Sequence, residues 1–82
     1  MNTSVASPPN ARARAVEFVP DAFAVRLEDG RSLIVPLEWF PRLRDATSEQ
    51  RSRWEFIGRG IGIHWPDLDE DISVAGLLGL PD

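Results

Sequence analysis

The chain has 82 residues, no cysteine, and 13 acidic against 9 basic residues, for a formal net charge of −4. That length holds one core with no room for a second. The missing cysteine excludes disulfide staples, thiolate metal sites and a cysteine nucleophile, and no apolar run approaches the roughly 20 residues that span a bilayer.

Without staples, the 3 Trp, the 4 Phe and the aliphatic side chains must supply the stability. Residues 1–12 combine no basic start with no apolar stretch, so they do not form a signal peptide. They are expected to be a disordered tail on a cytoplasmic protein, ahead of a single domain over residues 13–80.

Arg14 to Val19 alternates as a half-buried strand does, and Pro20-Asp21 ends it with turn chemistry. Phe23, Val25 and Leu27 alternate with Ala24, Arg26 and Glu28 in a second strand. Asp29-Gly30 then signals a hairpin. A two-residue loop would pair Leu27 with Ser32 and mix the faces. A three-residue loop, Glu28-Asp29-Gly30, with Gly30 left-handed, pairs Val25 with Leu33 and Phe23 with Val35 instead. The second register places Phe23, Val25, Leu27, Leu33 and Val35 on one buried face.

Pro36 stops the third strand, and Leu37 to Leu43 is too proline-broken for more than a single turn. Thr47 or Ser48 caps a short helix through Ser52, with Gln50 placed to complete a capping box. Trp54 to Ile57 and Ile61 to Trp65 form a second hairpin across Gly58-Arg59-Gly60. Ser73 caps a last helix, Val74 to Leu78, closed by Gly79 and Pro81. The expected fold is α+β: a small antiparallel sheet, built as a three-stranded meander plus a second hairpin, with short helices.

The run Gly60 to Ser73 holds the only histidine and 4 of the 13 carboxylates. Asp67, Asp69 and Asp71 have the spacing that opens a calcium-binding EF-hand loop. The pattern then fails where Ile72 replaces the glycine and Leu78 the closing glutamate. A solvated turn feeding the cap at Ser73 is the better reading. Gly58, Gly60 and Gly62 precede strand-like residues rather than a helix, so they serve a tight turn and not a phosphate cradle.

His64 is the one candidate base near neutral pH, with Asp67 or Asp69 to orient it and Ser73 as a nucleophile. No oxyanion donors accompany them. Packing at a sheet edge is the preferred role for His64, and no catalytic residue, metal or cofactor is assigned. Trp39, Trp54 and Trp65 are core material first. Yet Trp39-Phe40 lies in an irregular segment and Trp65 adjoins the acids, which is also the composition of a binding surface. The candidate partner-binding set is therefore Trp39, Phe40, Trp65, Asp67, Asp69, Glu70 and Asp71.

Charge placement points the same way. All 9 basic residues are arginine, and Arg42, Arg44, Arg51, Arg53 and Arg59 stand mid-chain, while everything after Trp65 carries 5 acids and no base. Such an acidic lobe opposes unaided nucleic-acid binding and suits a basic protein partner.

Longer strings carry a resemblance. Leu27-Glu28-Asp29-Gly30-Arg31, Val35-Pro36-Leu37-Glu38-Trp39-Phe40-Pro41-Arg42-Leu43, Trp54-Glu55-Phe56-Ile57-Gly58 and Gly62-Ile63-His64-Trp65-Pro66-Asp67-Leu68-Asp69-Glu70-Asp71-Ile72-Ser73 resemble a bacterial family catalogued as domain of unknown function 2442. The likeness runs from about Arg14 to Leu78. It implies a small cytoplasmic α+β domain with no established enzymatic activity. Members also occur fused to a helix-turn-helix or encoded beside another small protein in a presumed toxin–antitoxin pair. With the sequence ending at Asp82, an appended DNA-binding domain is not expected.

The expectation is thus a non-enzymatic interaction module, an antitoxin-like partner of a small basic protein encoded by the adjacent gene. The alternatives are a nucleic-acid-binding transcriptional regulator using Arg42, Arg44, Arg51 and Arg53, and a small metal-dependent hydrolase centred on His64 and Asp67.

Overall fold

The computed structural model describes residues 11–79. The expected tail, up to Asn10, and the helix stop at Pro81 lie outside the described residues. Among those described, no helix is long and apolar enough to cross a membrane.

The first sheet is the meander β1 (Ala13–Val19), β2 (Ala22–Leu27) and β3 (Ser32–Pro36), antiparallel in the order β1-β2-β3. Its second hairpin takes the three-residue loop: Val25 faces Leu33 and Phe23 faces Val35. Gly30 is left-handed at φ 98°, and the Leu27 amide donates to the Arg31 carbonyl. Phe23, Val25, Leu27 and Val35 are buried and Leu33 packs against them, while Ile34 is 67% exposed. A one-residue slip would have exchanged those two sets. In β1 the alternation is interrupted. The register shifts between Ala13 and Ala15, so Ala13 and Val16, three apart, both reach the core.

Between the sheets the chain makes a 3-10 turn over Leu37–Trp39, then α1 (Pro41–Arg44) and α2 (Ser48–Ser52). Pro41 at the start of α1 is pre-set for a helix and lacks only an amide that would go unbonded there. At α2 the Thr47 hydroxyl accepts from the Gln50 amide while the Gln50 side chain accepts from the Thr47 amide, completing the capping box.

The second sheet has β4 (Glu55–Ile57), β5 (Gly62–Trp65) and β6 (Glu70–Ser73), antiparallel in the order β4-β5-β6. The second hairpin forms as expected, but the acidic run is not only a solvated cap. Pro66–Leu68 makes a 3-10 turn, Asp69 turns left-handed at φ 52°, and Glu70 to Ser73 returns as a third strand. Ile72 drives this, because the register that buries it against Ile63 leaves Asp71 on the solvent face. Ser73 caps α3 (Val74–Leu77), its hydroxyl accepting from the Gly76 amide.

Both sheets contribute to one core: Phe23, Val25, Leu27 and Val35 from the first, Ile63, Trp65 and Ile72 from the second, with Leu37, Leu43 and Val74. Trp65 lies at its centre, edge-on to Phe18 and Phe23 at 6.3 and 6.2 Å between ring centroids.

Candidate functional site

The inner face of the second sheet is core, so its outer face is free for function. Strand alternation and the register place two cross-strand rows there. One is Ile57–Gly62–Ser73 and the next is Glu55–His64–Asp71. Gly62 leaves the first row without a central side chain. A Cβ at that position would stand 3.1 Å from the Ile72 carbonyl and 3.2 Å from the Ile57 Cδ1. The result is an open groove of about 530 Å³ lined by Ile57, Ile61, Gly62, Asp71, Ser73 and Ala75. Ile61 is 55% exposed at its mouth.

The second row borders this groove. His64 and Asp71 face each other, and the imidazole Nδ1 is hydrogen-bonded to the Asp71 carboxylate. The Val74 amide donates to the Ile61 carbonyl, which makes Ile61 and Val74 a bonded pair. By alternation His64 and Asp71 are then a non-bonded pair, whose side chains come closest. Glu55 completes the row from β4, with no ion pair among the described residues.

The sequence-derived candidates are scattered by the fold. Trp65 is withdrawn from the surface: it is fully buried, and its indole Nε1 donates to the Arg51 carbonyl at 3.0 Å. Phe40 turns half inward onto Phe23, at 5.9 Å between ring centroids. Trp39 alone of the three aromatics is open, at 64% exposed. Asp67 belongs to Arg53, 3.0 Å away, and the Asp69 carbonyl accepts from Arg42 at 2.6 Å. One carboxylate of the acidic lobe is thereby neutralised by an arginine far off in sequence, while Arg42 holds the backbone of the same turn. Glu70 lies on β6 opposite Trp65.

The pair expected at the centre of a hydrolase, His64 with Asp67, does not meet. His64 holds Asp71 instead, and the Ser73 hydroxyl accepts the Gly76 amide as the cap of α3. Among the described residues no three His, Cys, Asp or Glu side chains converge as metal ligands would. The arginines of the regulator reading are engaged within the fold. Arg44 pairs with Asp45 and Arg53 with Asp67. Arg51 donates to the Leu43 and Arg44 carbonyls, its guanidinium 5.5 Å from the Phe18 ring centroid. The Asp45 carboxyl is held below its usual range by the Arg44 hydrogen bond.

The groove was missed because its floor is a glycine and its walls come from two strands and a helix. The surviving signal was the placement of Ile57 and Ile61 around Gly58 and Gly60, which read only as turn chemistry.

Fold and face together define a small antiparallel α+β domain with an apolar recess on the outside of its second sheet. The chain belongs to the family described as "Protein of unknown function (DUF2442)", which matches residues 13–80. No curated protein matches it.

Two solved structures share the fold. A protein of unknown function from Rhodospirillum rubrum ATCC 11170 is 31% identical with a TM-score of 0.72, over 87% of this chain and 89% of that one. The uncharacterized protein CV0863 from Chromobacterium violaceum is 27% identical with a TM-score of 0.70, over 83% of this chain. The chain spans only 64% of that second protein.

Proposed function

We propose that this domain is a non-enzymatic protein-interaction module whose docking surface is the outer face of the second sheet. The observation that carries the reading is the glycine-floored apolar groove beside Glu55 and Asp71. Exposed apolar surface next to carboxylates favours a partner that brings apolar side chains and positive charge. In its finer form, the domain is the antitoxin-like half of a two-protein system in the cytoplasm. Its partner is a small basic protein encoded beside it.

Hydrolysis is the weaker reading, since Asp67, the carboxylate expected to work with His64 at a metal, is held by Arg53, and no three metal-ligating side chains converge among the described residues. Nucleic-acid binding is weaker too, because the mid-chain arginines already hold carboxylates and carbonyls.

The test compares two exposed positions in binding to that basic partner. Ile61→Asp puts an unpaired charge in the groove mouth and is expected to weaken binding at least about tenfold, the cost of burying it at a contact. Trp39→Ala is expected to leave affinity within about twofold, as surface positions outside a contact do. Both variants should melt close to the parent. The reverse order would move the interface to the Trp39 segment.

A further inference from the structure

The outer face of the second sheet has a built-in spacing. Its apolar row and its carboxylate row lie one same-face step apart on each strand, about 6.6–6.8 Å. An extended segment laid along the strands presents its own alternate side chains at that same interval.

Charge decides what the second side chain must be. Among the described residues Glu55 has no ion pair, Asp71 is paired with the imidazole of His64, and no arginine is paired with either carboxylate.

We infer that the groove recognises an extended segment of the partner in which a branched aliphatic residue stands two positions from a lysine or arginine. The aliphatic side chain sits between Ile57, Ile61 and Ala75, and the cation lies over the row that holds Glu55 and Asp71. This rests on the reading of the outer face as an interface and adds the recognition rule for it.

The full chain is titrated with four synthetic ten-residue peptides, followed by amide chemical shifts. One carries Ile-Thr-Lys at its centre. The second replaces that lysine with glutamate. The third and fourth set the isoleucine and lysine three and four apart, as a helical partner would.

The Ile-Thr-Lys peptide is expected to bind tightest, by about fivefold over each of the others, the size of one exposed ion pair. In Glu55→Lys, an exposed position with no ion pair, the preference should pass to the glutamate peptide. Equal binding of all four, tighter binding at spacing three or four, or an unchanged preference in Glu55→Lys would overturn the rule. So would no binding of the first peptide while the basic partner still loses affinity to Ile61→Asp, and in that case the interface reading survives alone.

Discussion

Single residues fix the two hairpins and the join between sheets. Gly60 is left-handed at φ 94°, and a Cβ there would overlap the Ala13 carbonyl. At the same point the Ala13 amide donates to the Gly60 carbonyl, bringing the start of β1 onto the β4–β5 turn. Gly60→Ala is therefore expected to cost about 2–3 kcal/mol in a urea melt, combining strain with steric overlap. A loss under about 0.5 kcal/mol would mean that this close approach does not exist.

Asp29 offers a check on charge at the other turn. Its carboxyl is held below the usual carboxylate range, chiefly by the Arg31 side chain and then by the Arg31 amide. A carboxyl with a lowered folded-state value stabilises the protein above its unfolded-state value. That contribution is lost as pH falls through the folded-state value. Arg31→Gln should move the Asp29 titration upward and bring the onset of acid unfolding to higher pH, read by carbon-detected titration of the carboxyl. An unmoved titration would assign the shift to the turn backbone.

Elements differ in how plainly the sequence announces them. The first meander was legible because Phe23, Val25, Leu27, Leu33 and Val35 admit only one register that buries them together. The capping box of α2 was legible because Thr47 and Gln50 stand at the spacing that satisfies two amides. β6 was not. Glu70, Asp71 and Ser73 have low strand preference, and Ile72 is the only apolar residue in it to signal alternation. Missing that strand also hid the His64–Asp71 pair, since cross-strand neighbours depend on register rather than on closeness in sequence.

The pair has a structural role here, joining β5 to β6. His64→Ala should lower the melting temperature by a few degrees, matching a loss of about 1 kcal/mol. An unchanged melting temperature would remove this structural role.

At the scale of the whole molecule, folding redistributes the charge read along the chain. The acidic end and the arginine-rich middle are separate blocks in sequence. In space Arg53 meets Asp67 and Arg42 reaches the Asp69 carbonyl, so part of the lobe is quenched. Glu55, drawn from the nearly neutral middle, joins Asp71 beside the groove. Linear charge located the acids along the chain, but it could not place the face, which needs strands from both blocks. Association should be faster at low salt, because exposed carboxylates are screened beyond about 8 Å at physiological ionic strength.

The most direct test is an amide footprint of the labelled chain titrated with the small basic partner. Ile57, Ile61, Gly62, His64, Asp71 and Ala75 are expected to shift or broaden, while Trp39 and Arg42 stay still. Shifts gathered instead on Trp39, Phe40 and Arg42, with the second sheet silent, would contradict docking on that face.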